Sequence, residues 1–477
     1  MRVLSVASEI YPLVKTGGLA DVAGALPGAL AEEGVETRSL VPGYPAVLAA
    51  LDSHEPVMPL DLFGCPGHLL AARAGKLDLF VIDSPPLYGR AGNIYSGPDG
   101  WDWADNAFRF AALGRVAAQI GAGEVAGFIP DIVHVHDWQA ALAPAYLRYA
   151  MDGRRPGTVL TIHNLAFQGQ FPPALIGPLG FPPDAYAMDG LEYYGSLGFL
   201  KAGIRFADRI TTVSLSYARE IAAPGGGMGF DGLLRTRAAD LSGILNGLDI
   251  TVWNPATDHS LTAMFDASRL PLRGLNKQAV QRRFSLAEDA DAPLFGVVTR
   301  LTWQKGMDLL HQALDALPEG GQFALLGSGE PALETAFRVA SAASPTRIGV
   351  RLGHDETLAH LMQGGCDALL VPSRFEPCGL TQLCALRYGA IPVVARVGGL
   401  ADTVIDANPV GLAAGVATGV QFAPDSLDAL KEALAHTGRL FRDRQTWAAM
   451  QRNGMKADVG WKAPAASYAK IYREIAS

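Results

Sequence analysis

Ten short apolar runs, rich in β-branched residues, recur along this chain with longer helical patterns between them, and that alternation leaves few folds open. In the first half the runs are residues 3–7, 77–82, 132–135, 159–162 and 209–213. In the second half they are residues 294–298, 323–326, 350–352, 368–371 and 391–395. Continuous runs of this kind predict strands covered on both faces, and their alternation with helices predicts parallel sheets. The chain has 477 residues, more than one core accommodates, so two series predict two doubly wound α/β domains. The junction falls in the stretch Asp240–Leu248, which gives domains of residues 1–243 and 244–460. Residues 461–477 form a terminal segment whose pattern Ala465–Ile475 has apolar residues at helical spacing and could pack back on the first domain.

Charge and cysteine usage narrow the function classes. Lys and Arg number 39 against 47 Asp and Glu, a net charge of −8. No general affinity for nucleic acid or an anionic membrane is therefore expected, although local basic sites stay open. Cys65, Cys366, Cys378 and Cys384 lack the paired spacing of a metal site and read as reduced thiols. The amino terminus, Met1-Arg2-Val3-Leu4-Ser5-Val6, enters a strand without the apolar core and cleavage site of a signal peptide. Residues 156–183 carry no Asp, Glu, Lys or Arg, but six prolines interrupt them and exclude a membrane span. A soluble, cytoplasmic protein is expected.

Chemistry gathers where the runs end. The run 368–371 leads into Ser373-Arg374-Phe375-Glu376-Pro377-Cys378-Gly379-Leu380-Thr381-Gln382, so Glu376 sits just past a strand's carboxyl end and Thr381 opens a helical pattern. Ligands of open α/β sheets bind at such ends, and a helix start offers unpaired N–H groups to a phosphate. A carboxylate suited to sugar hydroxyls, beside donors suited to phosphate, fits a nucleotide-sugar. A polar loop with a helix cap would read the same in isolation.

The other ends add to this. After the first run, Lys15-Thr16-Gly17-Gly18 precedes a helix predicted over Leu19–Ala31; the glycines admit a close ligand and Lys15 adds a positive charge. Neither a dinucleotide fingerprint nor a P-loop is present. Asp137 closes the run His134-Val135-His136, and His163 with Asn164 closes another. The three histidines lack tight ligand spacing, so no metal is expected. Arg300 and Lys305, five residues apart after the run 294–298, can converge on a diphosphate and stabilise it as charge gathers on departure. His354 places a flat ring where a base could stack, or is a surface loop residue.

Taken in order over nearly the whole chain, these motifs resemble those of bacterial glycogen synthases and plant starch synthases. The stretches that carry the likeness are Ser8-Glu9, Lys15 to Asp21, His136-Asp137-Trp138, His163-Asn164, Asn246-Gly247-Leu248-Asp249, Arg300 to Gly306, Glu376 to Thr381 and Gly398-Gly399-Leu400. The family comprises retaining glucosyltransferases with two Rossmann-like domains facing across a cleft, the GT-B arrangement. The resemblance implies transfer of glucose from ADP-glucose to the non-reducing end of an α-1,4-glucan such as glycogen. It implies catalytic roles for Glu376, His163, Asp137, Arg300 and Lys305. Donor binding would fall to Lys15, Gly17, Gly18, Arg300, Lys305, Gly379, Leu380, Thr381 and His354, with Lys15 and Gly18 closing from the other domain. Glu9, Asp21, Asn164 and Asn246 would orient sugar and acceptor. Many related transferases carry a second glutamate eight positions after the first; here Cys384 stands there, so a ribose role for that position lapses.

No residue announces itself as a nucleophile. The expected route to retention is same-face attack through a short-lived oxocarbenium ion pair, with the departing phosphate oxygen as base and no cofactor or metal. A nucleotide-sugar epimerase on the same fold, or a non-catalytic binding protein, are the competing readings. Oligomeric state is left open.

Overall fold

A computed structural model describes residues 1–476. It divides into two compact units, one formed by Met1–Gly247 together with the segment from Trp461, the other by Leu248–Gly460. Residues 244–247, expected to begin the second domain, belong to the first. The Ile244 amide donates to the Thr212 carbonyl at 2.8 Å, and its side chain packs in a cluster with Val3, Ile132 and Val159.

Unit 1 is built on strands β1 (Arg2–Val6), β2 (Glu36–Pro42), β3 (Ser53–Leu62), β4 (Cys65–Ala74), β5 (Leu77–Asp83), β6 (Ile132–His136), β7 (Gly157–Ile162), β8 (Gln170–Phe171), β9 (Glu192–Tyr193), β10 (Ser196–Gly198), β11 (Arg209–Thr212) and β12 (Leu241–Gly243). Its main sheet runs β12-β11-β7-β6-β1-β2-β5-β4-β3. Pairing is parallel from β12 to β5, and β4 and β3 add an antiparallel edge. β8, β10 and β9 form a small separate sheet. Unit 2 holds β13 (Leu294–Val298), β14 (Gln322–Gly327), β15 (Ile348–Leu352), β16 (Ala368–Val371), β17 (Ile391–Ala395) and β18 (Val420–Phe422). They form one all-parallel sheet in the order β15-β14-β13-β16-β17-β18.

Each of the ten apolar runs is a strand, and the reason is visible in burial: β6, β7, β14, β16 and β17 are buried at every position. The runs passed over are less continuous. β3 is exposed along most of its length and β2 opens on polar residues, so neither carries the signal of a strand covered on both faces.

The helix expected over Leu19–Ala31 spans Gly18–Glu32 and buries Leu19, Val22, Ala23, Leu26 and Leu30. The terminal helix, Lys462–Ile475, turns Ala465, Tyr468, Ala469 and Tyr472 inward at the i, i+3, i+4, i+7 spacing of one face. It packs on unit 1, in the cluster with Val3, Val22, Leu26 and Ile132. A polar column anchors it there. Tyr472 Oη lies 2.7 Å from His134 Nδ1, His134 Nε2 lies 2.6 Å from Thr161 Oγ1, and Thr161 reaches Thr211 Oγ1 at 2.6 Å. A Tyr472→Phe substitution keeps the packing but leaves a buried imidazole nitrogen unpaired. We expect a loss of about 1–3 kcal/mol, read as an earlier denaturant midpoint for unit 1.

Candidate active site

In unit 1 the strand order reverses on either side of β1, which pairs with β2 and β6; in unit 2 it reverses at β13, flanked by β14 and β16. Crevices at such switch points receive ligands in doubly wound sheets. The candidate residues lie at strand ends of the two units, several of them at these switch points.

At the end of β1, Glu9 is buried and its carboxylate is spent on the adjoining loop. It accepts from the Thr16 amide, from Thr16 Oγ1 at 3.0 Å, from the Gly17 amide at 3.3 Å and from Tyr95 Oη at 3.3 Å. Burial pushes the Glu9 carboxyl above its usual range, and those donors oppose the shift. Glu9 therefore shapes the Lys15–Gly18 loop, where the sequence reading had placed it against sugar. Asp21, also expected to orient sugar, accepts from Lys15 Nζ at 2.8 Å. The loop presses on its helix so closely that a Cβ at Gly24 would lie 2.4 Å from the Tyr11 carbonyl oxygen.

At the end of β6, Asp137 adopts a left-handed backbone with φ of 55°, a conformation that costs an ordinary residue energy and concentrates at functional sites. Its Oδ1 accepts from the His163 amide at 2.6 Å and the Asn164 amide at 3.4 Å. Asp137 and His163 are thereby brought together from neighbouring strands. Asn164 turns its own Oδ1 to the Ala166 amide. Asn246 is buried, and its Oδ1 has no partner, an acceptor left over for a ligand. His136, weighed in the sequence only as a metal ligand and given no role in the site, has its Nδ1 2.9 Å from His163 Nε2. Burial drives the His136 imidazole down to about 3 and that of His163 well below its ordinary value, so both rings are neutral.

At the end of β16 in unit 2, Glu376 Oε2 meets Lys305 Nζ at 2.5 Å and accepts from Ser373 Oγ at 2.9 Å. These residues line a cavity with Val298, Thr299 and Thr381. Glycine makes the approach possible: Gly306 has φ of +66°, and a Cβ there would stand 2.0 Å from the Pro372 carbonyl. Gly398 and Gly399 give the same clearance, since a Cβ at either would fall within 2.2 Å of the Glu376 or Cys378 carbonyl. Gly379 and Leu380 lead into the helix Thr381–Tyr388, which has no side-chain cap, so its first N–H groups remain for an anion. Cys384 is buried in that helix, in a cluster with Leu248 and Leu383.

Arg374 was quoted in the motif but given no role, and it holds the two loops together. Its guanidinium donates to both Asp308 oxygens at 2.7 and 2.8 Å, to Asp425 at 2.7 Å and to the Trp303 carbonyl at 2.7 Å. Those bonds hold Asp308 below the ordinary carboxylate range. Arg300 is exposed and makes no ion pair among the described residues. His354 is 81% exposed, 3.5 Å from Glu356. Among the described residues no three His, Cys, Asp or Glu side chains cluster as metal ligands, and no helix is long and apolar enough to cross a membrane.

Comparison with known proteins gives the family. The starch synthase catalytic domain family covers residues 2–236 and the glycosyl transferases group 1 family covers residues 280–456. A glycogen synthase of Rhodopseudomonas palustris (strain BisB18) is 62% identical over 474 residues, 99% of this chain and 97% of that relative. A glycogen synthase of Acidiphilium cryptum (strain JF-5) is 59% identical over the whole of both chains. The catalytic domain of starch synthase IV from Arabidopsis thaliana, solved bound to ADP and acarbose, matches with a TM-score of 0.89 at 30% identity over 99% of each chain. A sucrose-phosphate synthase from Thermosynechococcus elongatus shares the fold, with a TM-score of 0.61 at 17% identity.

The two doubly wound units, together with these matches, place the chain among the retaining glycosyltransferases of the GT-B fold. Within that class the chain belongs to the family of glycogen and starch synthases.

Asp137 supplies a test. Burial pushes its carboxyl from the ordinary 3.8 up to about 7. Below pH 4 both folded and unfolded states hold the proton; between pH 4 and 7 the folded state binds more protons, so stability falls as pH rises through this window. Relative to Asp137→Asn, which has no proton to lose, the wild-type protein should lose on the order of a few kcal/mol between these limits. Denaturation midpoints of the pair across pH check it; parallel curves would refute it.

Proposed function

We propose that the protein transfers glucose from ADP-glucose to the non-reducing end of an α-1,4-glucan such as glycogen, with retention of configuration and without a cofactor or metal ion. The observation that carries the reading is the Lys305–Glu376–Ser373 cluster beside the uncapped start of the helix at Thr381. It sets a carboxylate for sugar hydroxyls against a cation and backbone donors for a diphosphate. The names of the relatives, and the ADP and acarbose of the solved neighbour, support the same choice. A cytoplasmic setting is part of it.

Each part of the chemistry has a bearer. Arg300 and Lys305 meet the diphosphate and gain strength as it departs with its charge, the role of the metal in other transferases. Gly379, Leu380 and Thr381 add helix-start donors, while His354 offers a ring to the base. Lys305 is already paired with Glu376, so donor binding makes it share its charge between the carboxylate and the phosphate. Glu376 keeps its hold on the glucose hydroxyls and steadies positive charge on the ring. Asp137, His163 and Asn246 supply hydrogen-bonding groups for sugar. The phosphate oxygen that leaves takes the proton of the attacking hydroxyl on the same face, which preserves the configuration. Water must be kept out, since it would hydrolyse the donor.

Incorporation of labelled glucose from ADP-glucose into glycogen, with UDP-glucose in parallel, tests the reading directly. Activity should survive EDTA. Failure to extend the glucan, or epimerised donor in its absence, would overturn the reading. Arg300→Ala and Lys305→Ala should each lower kcat about 10²–10³-fold while glucan binding holds. Glu376→Ala should fall below Glu376→Gln by about 1–3 kcal/mol, because Ala leaves donor hydroxyls without partners. Equal loss in both, with a glucosyl adduct on wild-type Glu376 by mass spectrometry, would replace the ion pair with a covalent intermediate.

A further inference from the structure

We infer that His136 is a positioning residue that fixes the tautomer of His163, so that His163 offers an unprotonated Nδ1, an acceptor, to a hydroxyl of the transferred hexose. The inference rests on the glucosyl-transfer reading above.

Three polar groups form a buried row at the carboxyl ends of β1, β6 and β7. Ser5 Oγ lies 3.3 Å from His136 Nε2, and His136 Nδ1 lies 2.9 Å from His163 Nε2. Ser5 is 4% exposed and His136 is wholly buried, so water does not mediate between them. Both rings are neutral, driven there by burial. A neutral imidazole carries one N–H and one lone pair, so neither ring can donate from both nitrogens. The contact between the two rings therefore leaves two arrangements. In one, Ser5 donates to His136 Nε2, His136 Nδ1–H donates to His163 Nε2, and His163 is left with an Nδ1–H. In the other, His136 Nε2–H donates to Ser5, His163 Nε2–H donates to His136 Nδ1, and His163 is left with a lone pair on Nδ1.

Chemistry selects the second. The neutral imidazole of histidine intrinsically favours the proton on Nε2, and only the second arrangement satisfies that preference in both rings at once. A serine hydroxyl accepts as readily as it donates, so Ser5 imposes nothing against it. His163 itself is 8% exposed. Its Nδ1 has no hydrogen-bond partner among the described residues and is not among the buried atoms left unsatisfied; it is reachable by a ligand. The main chain of His163 is held independently by Asp137, at 2.6 Å from its amide. Orientation and proton position are thus set by different residues. The group that completes the site must be a donor, which a sugar hydroxyl is and an ether or fluoro substituent is not.

Nitrogen NMR of the full-length protein labelled with 15N-histidine, assigned with a His163→Gln variant, reads the proton positions without reference to activity. We expect His163 Nε2 protonated and Nδ1 unprotonated. His136→Asn places an amide oxygen where Nδ1 stood, so it should keep that signature and most of kcat. His136→Leu removes the acceptor and should lower kcat about 10–100-fold, by analogy with the loss of the outer partner of a metal-binding histidine, with KM for glycogen unchanged. A protonated Nδ1 in the wild-type protein, or equal kcat in the Asn and Leu variants, would overturn the inference. Should the Leu variant not fold, the wild-type and Asn spectra still decide. If glucosyl transfer itself fails in the wild-type protein, the functional reading falls while the tautomer measurement stands, so the two failures are distinct.

Discussion

In a parallel sheet every strand's carboxyl end emerges at the same edge, and the loops that leave that edge are the only ones that can share a ligand. Both sheets here reverse their order beside the first strand of the unit, β1 in one and β13 in the other. Much of the machinery follows from that. The Lys15 loop leaves β1 and Asp137 leaves β6; Arg300 and Lys305 leave β13 and Glu376 leaves β16. Strands this deeply buried are mainly apolar, polar exceptions such as His134, Thr161 and Thr211 bonding to one another, and the site's remaining polar residues collect just past the ends.

Ionisable groups at those ends are partly desolvated, and the protein answers by pairing them before any ligand arrives. Lys305 meets Glu376, Lys15 meets Asp21, and Glu9 gathers the amides of its loop. A buried charge without such compensation would neutralise or pull the loop open. Pairing also holds the groups in place. Arg374, 9% exposed, ties the loop after β13 to the loop after β16 through Asp308 and the Trp303 carbonyl. The Lys305–Glu376 distance thus depends on an arginine outside the cavity.

Much of this was legible in the sequence because the strand signal and the site signal coincide. Runs such as Ala368–Val371 and Ile391–Ala395 are buried on both faces, and continuous apolarity is the mark of that environment. β3 escaped because its edge position leaves it exposed and polar-rich, β4 because its burial alternates, and β2 because it begins at the surface. The residues that carry chemistry stood out by type, but their partners did not. Nothing in the spacing of Glu9 and Thr16 announces that the carboxylate serves the loop. Nor do His136 and His163, 27 residues apart, reveal that parallel pairing in register brings their rings together. Partnership across strands is a property of register, which apolar periodicity alone does not specify.

The strand ends of the two units differ in the charge they present. In and just past β6 and β7 burial works against charge: His134, His136 and His163 are neutral, and Asp137 is pushed up to about 7. What remains there is a set of donors and acceptors, with Asn246 Oδ1 still unpaired, the chemistry that recognises an uncharged sugar. At the ends of β13 and β16 the cations persist, with Arg300 exposed and Lys305 held by Glu376, the chemistry that meets a diphosphate. A hexose hydroxyl gains little from a full charge and a good deal from a fixed lone pair or N–H in a dry site. A leaving diphosphate gains most from charge already in place. The same desolvation that forbids an imidazolium beside β6 gives its neutral ring a defined direction of hydrogen bonding, and a neutral ring is specific in a way a charged one is not.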